Sequence, residues 1–458
     1  MKKYLSALIL IIVVVLQGCV SADHTAKPLK LKIPQRFTAA EKRPELSITD
    51  NLLSIIKDEE AKKLVDEAVK NNYNLKAAAQ RLNSSRLLLA RSKSALTPEV
   101  TAGYALNRSN QTIDRSTRDN HKVSMSVSWE LDLWGKLADI HSSEKAGYEA
   151  SKADYIHALD SLAARVLQSY FTTKAQKMRI KLQNRKIELL KSIEELIVSN
   201  YKSGLGSIDE LSSAKTNTEI AESVLIAKKQ TYKEYIRELE TLMGRYPEGK
   251  LEFSSALPDV AMPSQTAPAS VLKNRPDILA ASKRYEAAIK SSSAAEKAKL
   301  PNIVLSADIF RSNEQFNKLG ATGSSWGLLG NILYPVFNRG KLESESKAAV
   351  SEAEAAYMDM ADKVLTAMRE VEDAFSREKH LRDQLVHLKK AVKSAEDSSM
   401  FYEKRYLEGL EDLLSLQNAR EQEIDVKSSL IDIKVQKIIN RIDMALAMGV
   451  GAYGKEQR

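Results

Sequence analysis

The chain has 458 residues, which suits two or three domains or one large repetitive domain. Its formal net charge of +9 arises from 69 basic and 60 acidic residues, and no basic block is interleaved with aromatic residues. This balance indicates a solvated surface of mixed charge and excludes a nucleic-acid partner. The single cysteine, Cys19, leaves no pair for a disulfide and no set of thiolates for a metal site.

The N-terminus has the features of an export signal. Met1 to Lys3 is basic, and the apolar stretch from Leu5 to Leu16 is too short to span a bilayer. The sequence Leu-Gln-Gly that precedes Cys19 resembles the bacterial lipobox, which predicts a signal peptide of residues 1–18 and a lipid on Cys19. Val20 stands where an Asp would direct retention in the inner membrane, so the outer membrane is favoured. The alternative is an ordinary signal peptide with an incidental cysteine.

Prolines divide the rest of the chain. Residues 19–56 contain several prolines and are predicted to form a lipidated, extended segment. No proline lies between Pro98 and Pro247 or after Pro335, and because a proline inside a helix costs about 3 kcal/mol, long helices are expected in these intervals. Residues 248–270, rich in Pro and Ser, are predicted to be an extended linker.

The chain contains an internal repeat. Pro98 matches Pro301 at an offset of 203 residues, whereas Gly135 and Gly244 match Gly340 and Gly449 at an offset of 205. The two residues are therefore gained or lost in a loop, and none in the long helical part. We predict a first repeat at 57–247, a second at 271–452 and a C-terminal tail at 453–458.

Each repeat is predicted to contain a pair of strands, at about 98–108 and 121–133 in the first and about 301–311 and 324–337 in the second. From Val123 to Leu133, apolar residues alternate with Ser, Glu and Asp, which gives one apolar and one polar face. Such strands suit a membrane β-barrel, but four strands cannot close one, so a membrane-inserted chain must oligomerise. A soluble hairpin packed on helices is the alternative.

A long helical hairpin follows each strand pair, at 135–244 and 340–449. The first helix of the first hairpin spans roughly 67 residues, or about 100 Å, a length typical of a coiled coil or a helical tube. At the predicted tips, three residues recur at the offset of 205, and a glycine accepts the left-handed backbone that such a turn requires. The matched tip residues are Tyr201, Gly204, Leu205, Tyr406, Gly409 and Leu410.

No enzymatic site is evident. The histidines form no HExxH motif, no glycine-rich loop fits a phosphate, and Ser, His and Asp residues are not clustered. His380 and His387 share a helix face, where solvated surface residues are the simpler interpretation. We therefore expect no catalytic residues, no cofactor and no metal site.

These features resemble the TolC-like outer-membrane efflux proteins, in particular their lipoprotein, NodT/OprM-like branch. Asn274-Arg275-Pro276-Asp277-Ile278 looks like the signature of that family between its two halves, and the paired Tyr-x-x-Gly-Leu turns look like its hairpin tips. The resemblance covers about residues 45 to 452. It implies a mainly α chain with a membrane β-barrel contribution, built from two repeats of helix, β-hairpin and long α-hairpin.

The resemblance further implies a homotrimer in outer-membrane lipid. Three chains would close a twelve-stranded barrel and form an α-helical periplasmic tube. The tube would dock on a periplasmic adaptor and an inner-membrane pump of the RND or ABC type, as an exit duct for drugs or other small solutes. The alternative is an adaptor-type or structural coiled-coil lipoprotein without a pore.

The resemblance also suggests roles for residues at the tips. The matched Tyr, Gly and Leu residues would contact the adaptor. Carboxylates just past each tip glycine would ring a periplasmic gate. Two positions where the family often has Asp carry Ser415 and Asn418 here, which leaves Glu210, with Asp209, Glu411 and Asp412 nearby. The alternative is that Glu210 is a solvated helix residue.

Overall fold

A computed structural model describes residues 31, 33–39, 51–110, 117–254, 256–263 and 267–454. The predicted signal peptide and Cys19 lie outside these residues. The elements of the first repeat are α1 (Leu52–Ile55), α2 (Glu59–Asn71), α3 (Tyr73–Ser94), β1 (Glu99–Asn110), β2 (Thr117–Leu131), α4 (Lys136–Lys202) and α5 (Ile208–Leu242). Those of the second are α6 (Pro268–Asn274), α7 (Pro276–Lys297), β3 (Asn302–Asn313), β4 (Ser325–Leu333), α8 (Lys341–Leu407) and α9 (Leu413–Ala447).

The two helical hairpins have equal lengths. Helices α4 and α8 each contain 67 residues, and α5 and α9 each contain 35. The predicted mainly α fold with two repeats is confirmed. Among the described residues, no helix carries an apolar stretch long enough to cross a membrane.

The four strands form one antiparallel sheet in the order β1-β2-β3-β4. Neighbouring side chains along a strand point to opposite faces. The register therefore gathers the apolar residues of the four strands on one face of the sheet. The apolar face includes Val100, Val127, Ala307 and Leu328, and most of its large side chains are exposed in the single chain. The opposite face carries most of the serines of the strands and the acids Glu130 and Asp308, together with a few apolar residues such as Leu329. The sheet thus has the two unlike faces that the alternation in β2 predicts.

Four elements differ from the predicted boundaries, and one of them, β2, begins at Thr117 and not near 121. Strand β4 ends at Leu333 and not near 337, since Pro335 has no N–H group to donate to a neighbouring strand. Helix α6 begins at Pro268, inside the predicted linker, because the fixed backbone angle of proline suits a first helical turn. Helix α1 lies within the segment predicted to be extended, and the side chain of Asn51 caps it.

The chain forms two compact units, and each unit takes segments from both repeats. One unit contains Arg81–Lys152 and Ala280–Asp362, and therefore the whole sheet. Tyr285, Ile289, Ala353 and Met360 form a buried cluster within it.

The other unit contains Leu31–Gln80, Ala153–Leu279 and the chain from Lys363 onward, and therefore both hairpin tips. Within it, Tyr170 of α4 is fully buried and its hydroxyl donates to Glu60 at 2.6 Å. The Lys174 ammonium lies 3.4 Å from Asp58, which caps α2. These contacts join α2 to α4.

Candidate functional site

Both hairpin tips end their first helix in the same way. Gly204 and Gly409 have φ angles of +73° and +71°. The N–H of the residue after each glycine donates to a carbonyl five residues earlier, Leu205 to Asn200 and Leu410 to Arg405, each at 2.9 Å. This pattern is a Schellman motif, which satisfies carbonyls that the helix end would leave unpaired.

The tip glycines are needed for their backbone angle and not for space. A Cβ atom added to Gly204 or Gly409 would meet nothing within 4 Å. In the left-handed region an L-residue costs roughly 1–2 kcal/mol. The turn is therefore determined locally, and it does not explain the matched tyrosine and leucine.

The side chains that flank the glycines differ in exposure. Leu205 is 83% exposed and Leu410 is 60% exposed, although burial of a leucine is worth about 1.5–3 kcal/mol. Tyr201 is exposed, whereas Tyr406 is partly buried. Each tip thus presents an exposed leucine directly after its glycine.

In the first tip, Glu210 belongs to a capping box at the start of α5. The Glu210 N–H donates to the hydroxyl of Ser207, and the Glu210 carboxylate accepts from the Ser207 N–H, each at 3.1 Å. This reciprocal pair satisfies two N–H groups of the first helical turn.

In the second tip, the carboxylate has moved to the other position of the cap. Asp412 stands 205 residues after Ser207 and caps α9 by accepting the N–H of Ser415 at 2.7 Å. Ser415 stands 205 residues after Glu210. Hydrogen bonds from Ser415 lower the pKa of Asp412. Each tip therefore keeps one carboxylate in its cap, at a different sequence position.

The second tip has an additional brace. The Arg405 side chain lies 3.4 Å from the carboxylate of Glu411, and Nη2 of Arg405 donates to the Leu410 carbonyl at 3.4 Å. The guanidinium also lies 5.5 Å from the centre of the Phe401 ring. The first tip has Asn200 and Gly206 at the equivalent places, so its turn lacks this ion pair.

The two hairpins meet close to their tips. Leu413, at the start of α9, packs against a buried cluster formed by Ile193, Ile197 and Ala214 of the first hairpin. Burial raises the pKa of Tyr406, and the negative charge of Glu210 raises it further. Tyr406 of the second tip therefore lies within electrostatic range of Glu210 of the first. Asp209 and Asn418 are exposed.

The far ends of the hairpins hold paired residues that the sequence-based prediction missed. Nδ2 of Asn72 donates to the Leu242 carbonyl at 2.8 Å, and Nη1 of Arg275 donates to the Ala447 carbonyl at 3.2 Å. The repeat offset of 203 between Asn72 and Arg275 was the available signal. We call these hairpin ends the roots, defined by Asn72 with Leu242 and by Arg275 with Ala447.

The second root is strongly charged. The Arg275 guanidinium is buried and forms two hydrogen bonds with Asp277, at 3.0 and 2.8 Å, and a third with Glu370 at 2.6 Å. Although burial alone would raise the pKa of Asp277, the hydrogen bond and charge of Arg275 lower it. A cavity of about 340 Å³ adjoins this pair, lined also by His157, Asp443 and other residues.

The histidines noted in the sequence line a groove between α8 and α9. His380 and His387 lie there with Asp383 and Asp432, and Asp432 pairs with Arg179 of α4. Within the described part of the chain, no group of three or more His, Cys, Asp or Glu side chains could hold a metal ion.

Comparison with known proteins adds to this geometry. The family model described as outer membrane efflux protein matches residues 64–245 and 267–450. The cation efflux system protein CusC of Escherichia coli O6:H1 is 23% identical over 450 residues, which cover 95% of this chain and 96% of CusC. The probable outer membrane lipoprotein SilC of Salmonella typhimurium is 22% identical over 451 residues, covering 95% and 96%.

The fold also matches solved structures. The crystal structure of the Campylobacter jejuni CmeC outer membrane channel has a TM-score of 0.86 to this chain and 22% sequence identity, covering 95% of each chain. At this identity, the match concerns the fold.

Proposed function

The chain belongs to the outer membrane efflux protein family, and we propose that it acts as a homotrimeric exit duct from the periplasm to the exterior. Related proteins are transport channels of efflux systems. An outer-membrane efflux channel is therefore the function of this chain, in place of an adaptor or a pore-free coiled-coil lipoprotein. The trimer, the docking partners, the gate and the lipid anchor are the parts that we propose.

The observation that carries the proposal is the sheet with two unlike faces. Strands β1 and β4 are its edges, and neither edge has a partner strand among the described residues. Unpaired backbone groups are not tolerated in lipid, so a membrane-inserted sheet must be closed by other strands. Three copies supply twelve strands, which exceeds the minimum of about eight for a membrane barrel.

The height of the apolar face supports membrane insertion. On β2, apolar residues run from Val123 to Leu131, about 26 Å along the strand at roughly 3.3 Å per residue. At a tilt of about 40° this run is about 20 Å tall, which fits within the usual apolar band of about 25 Å of a membrane barrel. Val123 and Trp129 on this face are exposed in the single chain, and lipid would cover them.

The tips are proposed to dock on a periplasmic adaptor. Leu205 and Leu410 are exposed at equivalent turns, and six such leucines would be presented by a trimer. Exposed apolar side chains held on rigid turns favour contact with a partner. The adaptor would in turn connect the tube to an inner-membrane efflux pump of the RND or ABC type.

The gate is proposed to lie near the tips, where the charge of Glu210 reaches Tyr406 of the other hairpin. The Glu210 carboxylate also accepts the Ser207 N–H in the cap of α5. One Glu210 and one Asp412 from each of three chains would surround the periplasmic opening with carboxylates. Such a ring favours cations. Ser415 and Asn418 would line this opening without charge, and Asp209 and Glu411 would flank it.

The N-terminus is proposed to carry a lipid on Cys19 that holds the channel in outer-membrane lipid. The segment is attached to the folded chain at Phe37, which is buried with Val371 and Phe375. The Thr38 and Ala39 N–H groups donate to the two carboxylate oxygens of Glu372, each at 2.7 Å. Eighteen extended residues reach about 60 Å, which limits how far the lipid lies from this attachment.

The proposal is tested in planar bilayers and on gels with the purified full-length protein. We expect discrete conductance steps, and a trimer in detergent that separates into single chains on heating. A monomer in detergent without conductance would contradict the proposed duct. A matched control is the double variant Leu328→Asp/Ile332→Asp, which places charge on the apolar face. It should insert poorly because each charge that faces lipid destabilises the barrel, although an Asp costs less than the roughly 2–4 kcal/mol of an Arg or Lys at the bilayer midplane.

A further inference from the structure

Three rows of residues on the polar face cross all four strands, and Asp308 lies in the middle row. Thr101 faces Ser126, Ser126 faces Asp308, and Asp308 faces Gly327 as successive partners in the ladders. The hydroxyls of Thr101 and Ser126 lie 2.8 Å apart. Asp308 is thus the charged member of a row that otherwise holds two hydroxyls and a glycine.

The rows on either side of Asp308 hold one charged residue, Glu99, which faces Ser128 from the edge strand β1. Ser128 in turn faces Ser306, and Ser124 faces Phe310 in the row on the other side of Asp308. Farther from Asp308, Glu130 and Lys122 on this face have partners. Glu130 lies 2.5 Å from Lys136, and the Lys122 ammonium lies 4.3 Å from the centre of the Phe310 ring.

The carboxylate of Asp308 differs from these charges. Throughout the residues that the structure describes, no ion pair or hydrogen bond involves it. Gly327 leaves the space beside it open, because a Cβ atom at that position would lie 3.0 Å from Oδ1 of Asp308. Among the described residues, the carboxylate therefore projects from the polar face without a neighbouring cation and without a side chain over it.

This arrangement has different consequences on the two sides of a closed barrel. An unpaired carboxylate that faced lipid would be costly, whereas one that faces a water-filled lumen is hydrated. The register places Asp308 on the face opposite Leu328 and Trp326. In the proposed trimer, one Asp308 from each chain would form a ring of three carboxylates inside the barrel.

We propose that Asp308 is a specificity-determining residue of the membrane-inserted part of the channel and that its ligands are small cationic solutes. This inference rests on the proposed trimeric duct, and it adds a site separate from the tips. A ring of carboxylates draws cations into a pore and repels anions. The serine and threonine hydroxyls around it provide a polar wall without a positive charge, and Glu99 in the neighbouring row adds a carboxylate of the same sign.

The test is the ratio of K⁺ to Cl⁻ permeability, obtained from reversal potentials of the full-length protein in planar bilayers. Asp308→Asn keeps the shape of the side chain and removes its charge. We expect the permeability ratio to fall about two-fold or more in roughly 0.1 M salt. The change should shrink in about 1 M salt, where the screening length is near 3 Å.

Asp119→Asn is the matched control because it makes the same charge change on the other face of the sheet, where Asp119 pairs with Arg108. Its permeability ratio should equal that of the wild-type protein. If the wild-type protein forms a pore and Asp308→Asn has the same permeability ratio, the inference about Asp308 is wrong and the proposed duct still stands. Absence of any wild-type conductance overturns the proposed duct, and the inference falls with it.

Asp308→Cys gives a second measurement within one preparation. A methanethiosulfonate that adds a sulfonate should raise the ratio of the open pore, and one that adds a quaternary ammonium should lower it. Cys19 is the natural cysteine of the chain, and wild-type protein treated in parallel corrects for it. After this correction, the permeability ratio of the Asp308→Cys variant should change in opposite directions with the two reagents. A change in the same direction with both, or no change, would overturn the inference.

Discussion

Asn72 and Arg275 make the same hydrogen bond in the two repeats. Each donates a side-chain N–H to the carbonyl of the last residue of a hairpin, Leu242 of α5 for Asn72 and Ala447 of α9 for Arg275. Leu242 and Ala447 are themselves 205 residues apart. The first repeat uses a neutral amide, and the second uses a buried guanidinium that also binds Asp277 and Glu370. The two repeats therefore share a geometric function while the chemistry of the donor differs.

The first prediction concerns the unequal cost of losing these donors. Asn72→Ala leaves the Leu242 carbonyl and the Leu75 N–H without their partner, and should lower the free energy of unfolding by about 2 kcal/mol. Arg275→Ala leaves two carboxylates without their cation, and should lower it by about 3–5 kcal/mol. The thermal midpoints of the purified variants, measured under identical conditions, give the order.

A double variant provides the control. In Arg275→Ala/Asp277→Asn, the buried carboxylate that Arg275 leaves behind is removed, so part of the lost stability should return. If the double variant is less stable than Arg275→Ala alone, the ion pair is not the source of the loss.

The second prediction compares two carboxylates that line the same cavity. The pKa of Asp277 is lowered from 3.8 by Arg275, despite burial, whereas burial raises the pKa of Asp443. Ionised Asp277 therefore adds stability above pH 3.8, and this stability is lost as pH falls through the lower folded pKa. For Asp443 the sign is reversed: stability is greatest below pH 3.8 and is lost as pH rises through the higher folded pKa.

The same substitution should thus have opposite effects at the two positions. At about pH 7, Asp277→Asn should be less stable than the wild-type protein, and Asp443→Asn should be at least as stable. Nε2 of Gln168, which donates to Asp443 at 2.5 Å, can donate equally to an asparagine oxygen. Thermal midpoints of both variants, measured from about pH 3 to pH 7, would test these opposite effects. Equal losses of stability in the two variants near pH 7 would contradict the raised pKa of Asp443.

Much of the architecture could be predicted because it is encoded locally. The alternation from Val123 onward specifies the faces of β2, and the matched glycines at 204 and 409 specify turns that depend on a left-handed backbone angle. Such features require neighbouring residues only. The length of α4 follows equally from a run without proline.

The rest depends on contacts between distant residues. The pairing of Tyr170 with Glu60, and of Leu413 with Ile193 and Ile197, leaves no periodic signal in the sequence. The cap of α9 illustrates this limit, because Ser415 at the position of Glu210 suggested a missing acid. Asp412, named in the sequence only as a nearby acid, supplies the capping carboxylate from the other position of the cap.

The third prediction concerns the attachment of the N-terminal segment. Phe37 is 6% exposed, and the carboxylate of Glu372 accepts the N–H groups of Thr38 and Ala39. Phe37→Ala removes the apolar contact, which is worth about 3 kcal/mol or more. Trypsin should then cleave after the exposed Arg36 about ten-fold faster or more. Glu372→Gln should show a smaller effect, and Glu352→Gln, elsewhere on α8, should show none.

The fourth prediction separates the two roles of the tips. Leu410→Asp replaces an exposed apolar side chain, so the trimer should assemble normally while binding to the adaptor weakens about ten-fold or more. Gly409→Ala strains the turn by roughly 1–2 kcal/mol but keeps Leu410, and should weaken binding less. Binding of the purified adaptor and size in detergent are the measurements. Loss of the trimer in Leu410→Asp would instead assign this leucine to the structure of the channel.

The fifth prediction isolates the charge of the gate from the capping of its helices. Glu210→Gln retains the capping box, because Gln serves at that position as well as Glu, and Asp412→Asn retains a good N-cap. Both variants should keep the wild-type trimer and thermal midpoint. If these carboxylates ring the periplasmic opening, each variant should reduce the cation preference of the closed or partly open channel, and the double variant should reduce it further.

Ser207→Ala is the complementary control, because it breaks the capping box and keeps the Glu210 charge. It should cost about 1 kcal/mol of stability without a change in cation preference. Unchanged selectivity in the Glu210→Gln/Asp412→Asn double variant would restrict both carboxylates to capping. A loss of selectivity in Ser207→Ala alone would show that the geometry of the first turn of α5, which the Ser207 hydroxyl stabilises at 3.1 Å from the Glu210 N–H, matters as much as the charge of Glu210.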